Sequence, residues 1–213
     1  ENKMSSTQLL QDMMTQYCYF NIWSPVPVYP DMKKLREVLT LLSDQQKLHL
    51  LQQYYSIWTP LHYAAYRDHT EIISTLLTSL QSSADRLKLL MVDERTPLHR
   101  AAYCSHAESV KVILDCLTAD QQIQLMSVQS SGGKTAIQYA EGKGQTDTVR
   151  VLREYQHRAE NKRREEYSML MIIIPLLLII MFGVIRTLTE FFFVTGVVLC
   201  VKYDTQIDTK MLA

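Results

Sequence analysis

A seven-residue block recurs along this chain at a nearly fixed interval. The segment 59–65 reads T-P-L-H-Y-A-A, the segment 96–102 reads T-P-L-H-R-A-A, and a degenerate copy at 135–141 reads T-A-I-Q-Y-A-E. Successive copies begin 37 and 39 residues apart. A period in this range indicates stacked helical units, each of which is too small to bury its own apolar face. The sequence therefore predicts a short solenoid, a class of fold that mostly binds other macromolecules.

Each block has the local features of a short helix that is followed by further helices. Thr59 and Thr96 suit the N-cap, and the proline after each suits the first helical residue, whose amide would have no partner. The leucine and the paired alanines of the block recur on one helical face, where small side chains let neighbouring helices approach. A second apolar helix follows. A third, short helical stretch is predicted near Asp44, Asp85 and Asp120.

These blocks resemble the ankyrin repeat. The motifs that carry the resemblance are T-P-L-H-Y-A-A at 59–65 with His69, and T-P-L-H-R-A-A at 96–102 with His106. The resemblance covers roughly residues 31–156. It implies an all-α, ankyrin-type helical solenoid of about three repeats.

The chain departs from the ankyrin pattern in three respects. The glycine that usually precedes the second histidine is replaced by Asp68 and Ser105. The periods are longer than the usual ~33 residues. The extra residues fall between repeats, in segments such as 82–90, so extended and partly helical fingers are expected. The third copy has Ala136 and Gln138 in place of proline and histidine, as terminal capping repeats often do.

The remaining segments predict five regions in order along the chain. We expect an N-terminal cap and proline-rich link at 1–30, the repeat domain at 31–156, a charged juxtamembrane helix at 157–168, a transmembrane helix at 169–185, and a tail at 186–213 with a candidate second membrane segment at 191–201.

Charge and cysteine content exclude some classes of protein. Lysines plus arginines equal aspartates plus glutamates, at 22 each, so no basic field favours nucleic acid and no nucleic-acid partner is expected. The four cysteines are widely spread and form no C-x-x-C pair. This pattern favours a reduced, cytosolic repeat domain over a disulfide framework.

The six histidines invite a catalytic or metal-binding interpretation, but the repeat explains four of them. The resemblance implies that His62 and His99 bond between neighbouring loops, and that His69 and His106 lie at turns between helices. No nucleophile recurs beside them with a base, and the nearest approach to a phosphate loop, at 131–135, lacks the G-x-x-x-x-G-K pattern. We therefore predict a protein that is not an enzyme, with no catalytic residue, no cofactor and no metal site.

A partner-binding surface is predicted from the resemblance alone. In ankyrin repeats, contacts with partners concentrate on the finger tips and on exposed positions of the first helix, along the concave face. The residues at those positions mix aromatic and basic side chains, a composition enriched in protein interfaces. They are Trp58, Tyr63, Tyr66, Arg67, Arg95, Arg100, Tyr103, Lys134 and Tyr139. We call this set the aromatic–basic surface; the alternative for Tyr63 and Tyr66 is that they only pack between repeats.

Residues 169–185 predict an anchor in a lipid bilayer. These seventeen residues contain no charged side chain and would span about 26 Å as a helix at ~1.5 Å per residue. That length suits a thin bilayer and favours an internal membrane. The basic residues Arg158, Lys162, Arg163 and Arg164 precede the span and predict a cytosolic repeat domain. The sequence leaves open whether 191–201 forms a second arm of a helical hairpin.

Two functions remain open at this stage. The first is a membrane-tethered, non-catalytic ankyrin-repeat scaffold or adaptor whose protein partner is unknown. The second is the cytosolic ankyrin part of a truncated or oligomeric channel- or transporter-like protein, since ankyrin repeats precede the pore in transient-receptor-potential channels. Only about a dozen residues separate the last repeat from the first span here, and no selectivity-filter-like segment follows.

Overall fold

A computed structural model of the chain describes residues 5–23, 29–55 and 57–211, with side chains described except in 21–23, 188–190 and 192–211. Most of the proline-rich link predicted before residue 31 lies outside the described residues. The chain divides into two compact units, Glu1–Arg163 and Arg164–Ala213.

The described residues form eleven α-helices and no β-strand. The helices are α1 Ser6–Trp23, α2 Met32–Thr40, α3 Asp44–Leu51, α4 Pro60–Tyr66, α5 Thr70–Thr78, α6 Ser83–Leu90, α7 Pro97–Cys104, α8 Ala107–Asp115, α9 Ala119–Ser127, α10 Ala136–Gly142 and α11 Thr146–Met211. The predicted all-α fold is confirmed.

Equivalent helices of successive repeats stack on one another in the first unit. Helix α4 packs against α7 and α7 against α10, while α5 packs against α8. The finger helices α3, α6 and α9 form a third row, with α3 against α6 and α6 against α9. Each full repeat therefore contains three helices, and the predicted helical fingers are confirmed.

The threonine of each block marks the start of its first helix. Thr96 accepts a hydrogen bond from the backbone N–H of His99, and Pro97 occupies the first turn. In the degenerate copy, Thr135 and Gln138 form a reciprocal capping box. The glutamine that replaces the histidine thus preserves the helix start. Thr59 makes no side-chain cap bond of this kind, although its hydroxyl contacts the ring of His62 as that of Thr96 contacts His99.

The two departures from the glycine pattern fall at backbone positions that favour glycine. Asp68 has φ +58° and Ser105 has φ +66°, both in the left-handed region, and Gly144 has φ +71° at the same place in the third copy. Non-glycine residues are strained in this region. At Asp68 a hydrogen bond offsets part of the strain, since its carboxylate accepts from the Ser109 hydroxyl at 2.6 Å.

One apolar core runs through the stacked repeats. Leucines of the blocks, such as Leu98, are fully buried, as are the paired alanines. The N-terminal helix α1 lies against α2, α3 and α4 at the first end of the stack. It buries Leu10, Met14 and Tyr17 there, so the terminal repeat does not expose its apolar face.

The second unit contains the apolar part of α11. One helix of the described residues is long and apolar enough to cross a membrane; its best window has a mean hydropathy of 2.9 and none of it is buried. Pro175 lies inside the helix without ending it. The helix also continues through 186–190, which contain neither glycine nor proline, and reaches Met211. The described backbone therefore has no turn there, and a second membrane segment at 191–201 stays a prediction.

Candidate protein-interaction surface

The first histidine of each block joins its own repeat to the next one. The Nδ1 atom of His62 lies 2.7 Å from the Thr59 hydroxyl, and Nε2 donates to the backbone carbonyl of Arg95 at 3.0 Å. His99 repeats this arrangement with Thr96 at 2.8 Å and the carbonyl of Lys134 at 3.1 Å. The predicted bonds between neighbouring loops are confirmed. They fix the backbone at Arg95 and Lys134, two basic residues of the aromatic–basic surface.

These contacts also assign the protonation state of the two rings. A carbonyl oxygen only accepts, so Nε2 carries the proton, and the threonine hydroxyl donates to Nδ1. Burial lowers the pKa of His62 to about 4 and also holds the pKa of His99 below its usual value. Both rings are therefore neutral at physiological pH, with both nitrogens engaged. They are placed as structural links rather than as acid–base groups.

The second histidines lie at turns, as the resemblance implies. His106 donates from Nε2 to the carbonyl of Tyr66 at 3.0 Å, across one repeat. His69 meets the buried hydroxyl of Tyr17 at 2.8 Å, which ties helix α1 to the first block. Burial, assisted by the positive charge of Arg67, lowers the pKa of His69 to about 4.

Aromatic rings and guanidinium groups stack in one half of the aromatic–basic surface. The ring of Trp58 lies 5.0 Å from Tyr63 and 5.1 Å from Tyr66 between centroids. The guanidinium of Arg100, from the following repeat, sits 4.3 Å above the Trp58 ring. Arg67 lies 5.8 Å from the ring of Tyr66. Stacking of this kind holds long cationic side chains in place at low entropic cost.

The other half of the surface lies between the second and third blocks. The rings of Tyr103 and Tyr139 are 6.3 Å apart, and the ring of His99 lies 5.7 Å from Tyr139. The ammonium group of Lys143 sits 4.6 Å from the ring of Tyr103. The Tyr139 hydroxyl is 2.9 Å from the Ser130 hydroxyl, which orients the ring.

A cavity of about 230 Å³ opens between these two halves. It is lined by Arg95, His99, Arg100, Tyr103 and Tyr139. Burial lowers the pKa of Arg100, and the neighbouring charge of Arg95 lowers it further. The bond with Ser130 lowers the pKa of Tyr139, as do the charges of Arg95 and Lys134, despite an opposing contribution from burial. The cavity is thus electropositive, and we call it the arginine pocket.

Comparison with known protein families identifies the scaffold that presents this surface. Residues 32–124 match the family model for ankyrin repeats, in 3 copies. This part of the chain is an ankyrin-repeat region. The curated proteins contain no match to the chain. The ankyrin repeats account for the histidine links, the stacked helices and the block periodicity, and such repeats typically act as protein–protein interaction modules rather than as catalysts.

The nine predicted contact residues differ in how exposed they are in the ankyrin-repeat region. Tyr66 and Tyr103 are 38% and 43% exposed, and Lys134 is also exposed. Tyr63 is only 1% exposed, and its hydroxyl donates to the carbonyl of Tyr55 at 3.3 Å. The burial of Tyr63 fits the alternative that its side chain only packs between repeats, whereas Tyr66 is partly exposed. Partner contact by the nine residues stays a prediction.

Lys143 and Asp93 also lie beside this surface, although neither was among the residues predicted from the sequence. When the blocks are aligned, Lys143 takes the position of Arg67, so the repeat itself carried the signal. Asp93 precedes the second block and accepts from the backbone N–H of Arg95 at 3.4 Å. It also interacts with the Tyr54 hydroxyl. In the part of the chain that the structure describes, no group of three or more histidine, cysteine or acidic residues could hold a metal ion.

Proposed function

We propose that this protein is a membrane-tethered, non-catalytic ankyrin-repeat adaptor. Its repeats bind a protein partner through the aromatic–basic surface and the fingers, and residues 169–185 insert into a bilayer. The observation that carries the proposal is an apolar helical window with mean hydropathy 2.9, none of it buried, in a chain that also has ankyrin repeats. Such a surface is costly in water and favourable in hydrocarbon.

A helix is suited to this environment because it satisfies its backbone hydrogen bonds internally. Side chains all around the helix are exposed, including Ile172 at 67% and Phe182 at 71%. We infer a cytosolic repeat domain from the basic residues just before the span, following the positive-inside rule. The limited length of the uncharged segment supports an internal membrane rather than a thicker one.

Alkaline-carbonate extraction of cell membranes tests the tether. The full chain should stay in the pellet, and a fragment of residues 1–167 should be released. A matched full-length control carries Ile174→Lys and Leu178→Lys, because each central lysine opposes insertion by ~2.5–3.5 kcal/mol. This variant should also be released. If the unaltered full chain is extracted with the fragment, residues 169–185 are not an integral anchor and the proposal fails.

Protease protection tests the orientation. In sealed microsomes, added protease should digest the repeat region of the full chain while the apolar segment stays protected. Protection of the repeats until detergent is added would place them in the lumen and contradict the cytosolic assignment.

A further inference from the structure

The arginine pocket contains two arginines whose buried Nε donors have no hydrogen-bond partner among the described residues. We propose that this pocket binds a carboxylate side chain, aspartate or glutamate, within an acidic segment of the protein partner. The inference rests on the proposed function, since it specifies the chemistry of the partner that the adaptor recruits.

The first support for a carboxylate ligand is the presence of arginine donors that have no acceptor in the part of the chain that the structure describes. A guanidinium carries five N–H donors and no acceptor. The Nε atoms of Arg95 and Arg100 are buried and have no hydrogen-bond partner among the described residues. Neither side chain forms an ion pair within 4.0 Å with a described carboxylate. Buried donors are normally satisfied, so unpaired ones at an open cavity indicate that an acceptor arrives from outside.

The walls of the pocket are held in place by other contacts. Arg100 stacks on Trp58 at 4.3 Å, and Tyr139 is oriented by Ser130 at 2.9 Å. His99 offers no further donor, because its Nε2 proton is already given to the carbonyl of Lys134. Arg95 already makes one side-chain hydrogen bond to Tyr139, so the buried donors of the pocket that stay unpaired among the described residues are the Nε groups of Arg95 and Arg100. Preorganised guanidinium groups favour planar carboxylates, which they bind through two parallel hydrogen bonds.

The charged side chains around the pocket also favour an anionic ligand. Lys134 and Lys143 flank the pocket, the latter with its ammonium group 4.6 Å from the ring of Tyr103. Asp93 is the neighbouring acidic residue, and it accepts from the backbone N–H of Arg95 at 3.4 Å. One carboxylate set against four basic side chains leaves the pocket positive. An anionic group is thus attracted, and a cationic one is repelled.

The geometry around the opening favours a protein segment over a small free anion. Tyr66 and Tyr103 are exposed on the same surface, on successive repeats, and offer large apolar contact area beside the charged site. A peptide that places one carboxylate in the pocket can lay its neighbouring residues on these rings. Such a combination of aromatic anchors and arginine is typical of the energetic centre of protein interfaces.

Peptide selection on the full chain, held in lipid nanodiscs, tests the inference. A displayed library of random peptides should yield binders with an aspartate or glutamate at one fixed position. Changing that residue to asparagine or glutamine should weaken binding by about tenfold or more in fluorescence anisotropy, as expected for a charge-assisted hydrogen bond. Arg95→Gln and Arg100→Gln should each weaken the same peptide to a similar extent. Arg150→Gln, an identical substitution on an exposed part of helix α11, should leave binding unchanged.

The outcomes separate this inference from the proposed function. Selected peptides that lack a fixed acidic residue, or that bind the Arg95→Gln variant as tightly as the unaltered chain, would overturn the arginine pocket and leave the adaptor standing. A selection that yields no binder would count against the adaptor itself. Because Arg100 also supports Trp58, Arg95→Gln serves as the decisive variant, and its melting temperature should match that of the unaltered chain.

Discussion

Acidification should destabilise the repeat stack through His62. The ring is 1% exposed, accepts a hydrogen bond from Thr59 and donates one to the carbonyl of Arg95. A second proton would turn Nδ1 into a donor and place a charge in a buried site. Burial accordingly lowers the pKa of His62 to about 4, against an ordinary value of 6.5.

The direction and magnitude of the stability change follow from the difference between the pKa of His62 in the folded chain and in the unfolded chain. In the unfolded chain His62 binds a proton near pH 6.5, whereas the folded chain resists protonation until about pH 4. The contribution to stability is therefore complete above pH 6.5 and is lost as the pH falls. The loss is about 2 kcal/mol at pH 5 and about 3 kcal/mol at pH 4. The pKa of His99 is shifted in the same direction, so it adds to the loss.

Urea denaturation of a 1–163 fragment at pH 7 and pH 5 measures this loss. The matched variant is His62→Gln, because the third block already has glutamine at this position, at Gln138. The unaltered fragment should lose about 2 kcal/mol more than the variant between the two pH values. Histidine NMR should also show that the His62 ring, like that of His69, stays neutral at pH 5. Equal losses in both proteins, or a His62 ring that titrates near pH 6.5, would refute the reasoning.

Three further substitutions test the backbone and the core of the same fragment. Ser105→Gly should raise the free energy of unfolding by about 0.5–1 kcal/mol, because it relieves a left-handed residue, whereas Asp68→Gly should gain less because it also loses the bond with Ser109. A stability loss on Ser105→Gly in urea denaturation would contradict the assigned strain. Leu98→Ala should lower the free energy of unfolding by roughly 2–4 kcal/mol, because it leaves a cavity in the core. A change below about 0.5 kcal/mol would contradict the core assignment.

The helical solenoid and its links were predictable because each residue of the block has one structural task. Threonine starts the helix, the alanines allow close packing, and the histidine reaches the next repeat; such tasks are local and recur with the period. The hairpin alternative had no comparable basis. Residues 186–190 contain charges but no residue that breaks a helix, so charge alone suggested a boundary at a place where the described backbone has no turn.

The arginine pocket was not predictable, because it depends on which side chains of different repeats converge. Arg95 and Arg100 were both expected on the surface, yet nothing in their spacing places them beside Tyr139 of the next block. The contrast between Tyr63 and Tyr66 has the same origin. The two lie three residues apart on one helix, and only the stacking of neighbouring loops determines that Tyr63 is covered while Tyr66 stays exposed.

The histidine links explain why the fold was easier to predict than the partner. His62 and His99 bind the backbone carbonyls of Arg95 and Lys134, and they make no use of those side chains. Any residue at 95 or 134 would be held equally well, so the fold constrains the position of the contact surface but not its chemistry. Partner choice is therefore set by side chains that the scaffold leaves free to vary. In this chain they are basic, which is why an acidic partner segment is the expectation to test.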